Sequence, residues 1–208
     1  MQFIELRQQL KDFMVFSLQD IRKIEANFDL RRLSEWQNKG YIKMIRQGYY
    51  IFFDLVINEQ VMFLIANKIY AQSYISLESA LSYYGLIPEG VYAITSISTR
   101  KTEKFKTMIA EFFYRKIKPE LFFGYKLINI AEQQYKIAEI EKTVLDYLYF
   151  NPNIINEADF HEWRFNSTDF LVQADLEKMR QYGQAFKSKI FLARTEKIIN
   201  LIKQNADS

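Results

Sequence analysis

Residues 29–52 read DLRRLSEWQNKGYIKMIRQGYYIF, a segment whose periodicity changes halfway along. Up to Gly40 the spacing is helical. At 100° per residue, Leu30, Leu33 and Trp36 cluster on one side, while Arg31, Ser34, Glu35 and Asn38 project from the other, flanked by Arg32 and Lys39. This helix is expected to begin near Asn27 or Asp29 and to end before Gly40. Beyond Gly40, β-branched and aromatic residues bracket a Gln47–Gly48 turn, which predicts a short hairpin. Its in–out alternation is imperfect, so a bulge or a wide turn is expected.

Upstream, Phe3, Leu6, Leu10 and Phe13 mark a first helix over 3–13. Ser17 caps a second, with Asp20 where a capping box usually has Glu or Gln, and with Leu18, Ile21 and Ile24 as apolar members. Three helices followed by a two-stranded ribbon is the order of a winged helix-turn-helix, which assigns 1–54 to a DNA-binding domain. On that reading Arg31, Arg32 and Lys39 reach the major groove or its rims. Lys43 and Arg46, flanking the ribbon turn, hold phosphates. Residues 1–53 carry nine basic and six acidic side chains. That surplus is small, and a solvated helix face would look similar.

From about residue 55 the character changes. NEQVMFLIANKIY predicts a helix, VYAITSIST a strand, EFFYRKIK and YKLINIA two more, and QYKIA a partner for the last across a Glu132–Gln133–Gln134 turn. Helices return in EIEKTVLDYLYF and NEADFHEWRF, and from Asp169 to Asn205. Helices, then mostly antiparallel strands, then helices make residues 55–208 an α+β domain with a helical tail. With only three prolines and no Pro/Gly/Ser linker, the two domains should abut.

The run ISLESALSYYGLIPE, residues 75–89, holds two serines and a glutamate within four positions. Local chemistry favours a helix with a well-made start and stop. Ser76 is placed to accept from first-turn N–H groups, and Glu78 meets the positive end of the helix dipole. Leu77, Ala80, Leu81 and Tyr84 form one stripe. Gly85 suits a left-handed C-terminal position with Leu86 folding back on Leu81, and Pro88 blocks continuation.

Between Arg100 and Lys126, eight basic residues face three acidic ones. Arg100, Lys101, Lys104, Lys106, Arg115, Lys116 and Lys118 make a second basic patch, with Lys126 beyond. It is either a lysine-solubilised loop region or a second contact for DNA, RNA or phosphate. With surpluses of three and five in these two regions and a net charge of +3, the rest of the chain sums to −5.

Other chemistry is missing. The six glycines form no phosphate-binding loop, and the single histidine, His161 in HEWRF, lacks the second His of a zinc helix. Glu141 and Asp146 lie about 140° apart on a helix and do not converge, while Lys142 and Asp146 make an ordinary i,i+4 ion pair. Most of the aromatic abundance is assigned to the core. No enzyme signature, cofactor motif or metal set is expected. No stretch is apolar enough to span a membrane. The absence of cysteine and of a signal-peptide core fits the cytoplasm.

YISLESALSYYGLIPEGVYAITSISTRKTEKFKT, FFYRKIKPELFFGY and KIAEIEKTVLDYLYF, in this order after a winged helix, resemble the AbiEi family of type IV antitoxins. The family hallmarks are a Ser-x-Glu-Ser-Ala-Leu helix closing in Tyr-Gly-Leu-Ile-Pro, a Thr-rich strand, a Gly-Tyr step and a Glu-Lys-Ala-Leu-x-Asp helix. The chain matches at Ser76, Glu78, Ser79, Ala80, Leu81, Gly85, Leu86, Pro88, Gly124, Glu141, Lys142, Leu145 and Asp146. It departs at Thr143 and Val144. The resemblance implies a repressor-antitoxin that binds inverted repeats in its own promoter. It would counter a nucleotidyltransferase-like toxin without a stable complex, using basic residues of both domains on DNA. The alternative is an interaction protein whose winged helix docks a partner rather than DNA.

Overall fold

The computed structural model describes residues 1–88, 90 and 92–206. Its first part runs α1 (Phe3–Gln9), β1 (Phe16–Ser17), α2 (Leu18–Ile24), α3 (Arg31–Asn38), β2 (Ile42–Arg46) and β3 (Tyr49–Phe52). The strands form an antiparallel sheet in the order β1-β3-β2. Ser17 and Asp20 close the expected capping box, and the hairpin carries the expected irregularity between Met44 and Arg46. Gly48 turns it at φ +83°, where a Cβ would be strained. Helix α1 stops four residues short of the expected Phe13. The chain there straightens into β1, because Phe16 is needed in the core beside Tyr50 and Phe52. Leu33 and Trp36 of α3 enter that same core, but Leu30 stays outside, half exposed, at the helix entry.

The second part is α+β, built on a six-stranded sheet in the order β6-β7-β5-β4-β9-β8. Its strands are β4 (Ser73–Ile75), β5 (Ala93–Ser98), β6 (Glu103–Lys106), β7 (Glu111–Lys116), β8 (Tyr125–Ile130) and β9 (Gln133–Ala138). Of the expected strand over 91–99, Val91 lies outside the described residues. The sheet is mixed: β4–β5, β6–β7 and β8–β9 pair antiparallel as expected, while β4 runs parallel to β9, and β5 to β7. Expecting hairpins overlooked the short β4 and β6, which insert between or beside the longer strands.

Helix α4 (Glu59–Ile69), capped by Asn58, covers one face of this sheet. Val15, just before β1, and Ile45 and Ile51 of the first sheet join it in one apolar cluster with Phe112, Tyr114 and Ile137. The two parts therefore share a core. Gln133 fastens them. Its Oε1 accepts from the Met14 and Val15 N–H groups at 2.8 and 3.2 Å, and its Nε2 donates to the Val15 carbonyl at 2.7 Å.

The other face carries α5 (Leu77–Tyr83) and α6 (Ile140–Phe150), backed by α7 (Glu157–Glu162), α8 (Ser167–Gln173), α9 (Leu176–Gln184) and α10 (Lys189–Ala206). The helical tail expected from Asp169 to Asn205 is made of α8, α9 and α10. Asp175 breaks it by capping α9 through the Glu177 and Lys178 N–H groups, and Lys187 turns the chain at φ +50° before α10. No helix among the described residues is long and apolar enough to cross a membrane.

Candidate nucleic-acid interface and a sealed polar cluster

The outer face of α3 is laid out as the sequence spacing requires, with Arg31, Ser34, Glu35, Asn38 and Lys39 exposed. Its cations are not bare. Asp29 accepts from the Arg31 backbone N–H at 3.0 Å and pairs with its guanidinium at 2.9 Å, which lowers the Asp29 carboxyl pKa and raises that of Arg31. Lys39 pairs with Glu35 one turn back at 2.6 Å, and this contact raises the lysine's pKa. Both pairs are exposed, so a phosphate can exchange with the carboxylate at little cost.

Two other predicted contacts point inward. Arg32 is half-buried and donates through Nη1 to the Met1 carbonyl, while the Met1 ammonium pairs with Glu25 at 3.0 Å. Arg46 donates to the Ile69 carbonyl at the end of α4 and lies over the Phe105 ring, 3.6 Å from its centroid. It anchors the hairpin to the second part instead of standing free at the turn. Lys43 remains exposed on β2.

The second patch divides. Arg100 lies 4.6 Å over the Tyr70 ring, whose hydroxyl donates to the Lys101 carbonyl. Because Tyr70 and Phe105 are 5.6 Å apart, Arg46, Phe105, Tyr70 and Arg100 form one layered cation–aromatic row beside the hairpin. Lys101 pairs with Glu103 at 2.8 Å, lowering the glutamate's pKa. Alternation along β6 sends Lys104 and Lys106 to the opposite face, where both approach Glu111, at 2.7 and 4.0 Å. Arg115 is on that face too, 4.6 Å over Phe150. Lys116 and Lys118 are exposed. Lys126 stands on β8, at the far edge of the sheet, 5.1 Å over Tyr84, so it is not part of the same surface.

Behind α5 lies a cluster that sequence spacing did not reveal. Lys142 and Asp146, expected as an ordinary ion pair, are both 0% exposed and bonded to one another. Asp146 Oδ2 also accepts from the Tyr74 and Ser76 hydroxyls, each at 2.9 Å, and Lys142 Nζ donates to the Tyr74 oxygen at 2.9 Å. Burial pushes the Lys142 ammonium pKa down and the Asp146 carboxyl up, with each opposed by the other's charge. Burial, with Asp146 alongside, also holds the Tyr74 hydroxyl well above its usual range.

Ser76 therefore does not cap α5 with its side chain as expected. Thr95 of β5 does so across the layer: its Oγ1 accepts from the Ser79 N–H at 2.9 Å and donates to the Ser76 carbonyl at 2.8 Å. The helix closes as expected, with Leu86 N–H on the Leu81 carbonyl, Gly85 N–H on the Ser82 carbonyl, and Gly85 at φ +70°. Gly124 is also explained: a Cβ there would meet Lys142 at 3.1 Å and Tyr182 at 3.0 Å. Lys142, Asp146 and Thr143 fall within about 100° of one another on α6, a polar stripe that reads in sequence as a wet face.

Ser76, Lys142 and Asp146 resemble the parts of a serine site, but all three are sealed, and a nucleophile must meet its substrate. They fasten β4, α5 and α6 together. The chain matches no known family model, and no curated protein matches it either.

Proposed function

We propose that residues 1–54 are a winged helix-turn-helix that binds double-stranded DNA, and that the chain is a cytoplasmic repressor-antitoxin of the AbiEi kind rather than an enzyme. The observation that carries the DNA-binding part is the element order α1-β1-α2-α3-β2-β3, with β1 completing the three-stranded sheet and the polar face of α3 turned outward. Arg31, Ser34, Asn38 and Lys39 are the base-edge and phosphate donors of α3. Lys43 contacts backbone. Arg46 and Arg32 take supporting roles, fixing the hairpin and the N-terminus, and Arg100 and Lys101 continue the basic surface from the hairpin. The antitoxin part, with its nucleotidyltransferase-like toxin, rests on the sequence resemblance.

A second reading has one observation in its favour. Asp29 and Glu35 neutralise the two outermost cations of α3, as on a face that docks a protein. Fluorescence anisotropy separates the two, using labelled DNA from upstream of the chain's own gene against scrambled DNA over a range of salt. A preference for the upstream DNA with a steep salt slope, weakened by Arg31→Ala, is expected. Weak and equal binding to both DNAs would transfer the assignment to protein docking.

A further inference from the structure

Lys142 and Asp146 are sealed from any outside substrate but not from one another. Lys142 Nζ is bonded to Asp146 Oδ1, one turn along α6. The other carboxyl oxygen, Oδ2, accepts from the Tyr74 and Ser76 hydroxyls, each at 2.9 Å. Tyr74 also accepts from Nζ at 2.9 Å, so one hydroxyl bridges the amine and the carboxyl. The rings of Tyr74, Phe123 and Phe186 surround Nζ, with centroids 5.5, 5.2 and 5.6 Å away.

We infer that Lys142 and Asp146 condense into an amide that cross-links one turn of α6. Without water, the neutral amine and carboxylic acid gain on the ammonium and carboxylate, because neither charge is solvated. Tyr74 is the proton carrier: it takes a proton from Nζ and gives its own to Oδ2, and Ser76 donates to the same oxygen. Oδ2 is therefore the oxygen that leaves. The Nζ lone pair attacks Cγ, the Nζ–Cγ bond forms and the Cγ–Oδ2 bond breaks. Oδ2 departs as water with two protons that came from the ammonium. The third stays on the amide nitrogen, and Oδ1 becomes the amide oxygen. Positions i and i+4 are neighbours on a helix, and the four-carbon stem of lysine spans the turn to the single methylene of aspartate without unwinding it. Groups held together in this way reach effective concentrations of roughly 10⁵–10⁸ M, far above that of the water that would reverse the step.

The test is the mass of the intact chain, followed while it is held folded at neutral pH and while it is held unfolded in guanidinium chloride. The expected result is a species one water lighter than the sequence, whose fraction grows in the folded sample and not in the unfolded one. Trypsin does not cut at an acylated lysine, so residues 137–164 should then appear as one peptide, also one water short. Lys142→Arg keeps a cation beside Asp146 but replaces the amine with a poor nucleophile, and it should retain its full mass. Tyr74→Phe should slow the loss by about a hundredfold. A folded chain still at its full sequence mass after several days would overturn the proposal. So would a water loss that persists in Lys142→Arg or maps outside residues 137–164. An equal rate in Tyr74→Phe would overturn the proton relay.

Discussion

Helices α3 and α6 each carry a lysine and a carboxylate four residues apart, and the two pairs have opposite surroundings. Glu35 and Lys39 have side chains 55% and 52% exposed; Lys142 and Asp146 are sealed at 0%. Spacing fixes that two charges meet. The layer packed over the helix fixes what the meeting is worth. On α3 nothing covers the outer face, water screens the pair, and its members are free to trade partners. On α6 the pair lies beneath α5 and β4, where an unpaired charge has no water to turn to.

The largest test of that contrast is Asp146→Ala, which strands the Lys142 ammonium and leaves the Tyr74 and Ser76 hydroxyls without their acceptor. A loss of about 3–5 kcal/mol in urea unfolding is expected. Replacing both members by apolar residues of similar size, Lys142→Met with Asp146→Leu, should recover most of it, because no charge remains buried. A cost below about 1 kcal/mol for Asp146→Ala would show the α6 pair to be no different from the α3 pair.

Next in size is Gln133→Ala. It removes three hydrogen bonds to the backbone of Met14 and Val15 without touching a charge, and about 2–3 kcal/mol is expected. Amide exchange should quicken first in β1 and its partner β3. Uniform quickening throughout the chain would mean that Gln133 does not hold the two sheets together.

The smallest stability effect belongs to α3. Lys39→Ala should cost under about 1 kcal/mol of folding stability yet lower the salt slope of DNA binding by about one unit. Glu35→Gln should tighten DNA binding a few-fold by releasing Lys39. A salt slope unchanged by Lys39→Ala would remove that residue from the interface.

Local features were legible in the sequence because local chemistry determines them: the Ser17 capping box, the bulged Gln47–Gly48 hairpin, the Gly85 helix close and the polar face of α3. What was not legible depends on partners distant along the chain. Strand β1 has two residues and exists only through Tyr49 and Tyr50, and β6 reads EKFK, which looks like a charged loop until β7 pairs with it. Ser76 has the composition of a cap, but Asp146, 70 positions on, claims its hydroxyl. The directions of Arg32 and Arg46 were hidden for the same reason, since a carbonyl of Met1 or Ile69 outcompetes solvent for them. Charge is countable in a sequence; availability of charge is not.

The Gln133 clamp also has a consequence in time. The amide that satisfies Val15 is made 118 residues after it. At roughly 5–20 residues per second, a ribosome needs roughly 6 to 24 s to supply it. For that interval the nascent N-terminal unit lacks its last backbone partners. The segment proposed to read the promoter is therefore completed only after β4 to β8 have been made, which would tie the proposed operator binding to a chain already well past its middle.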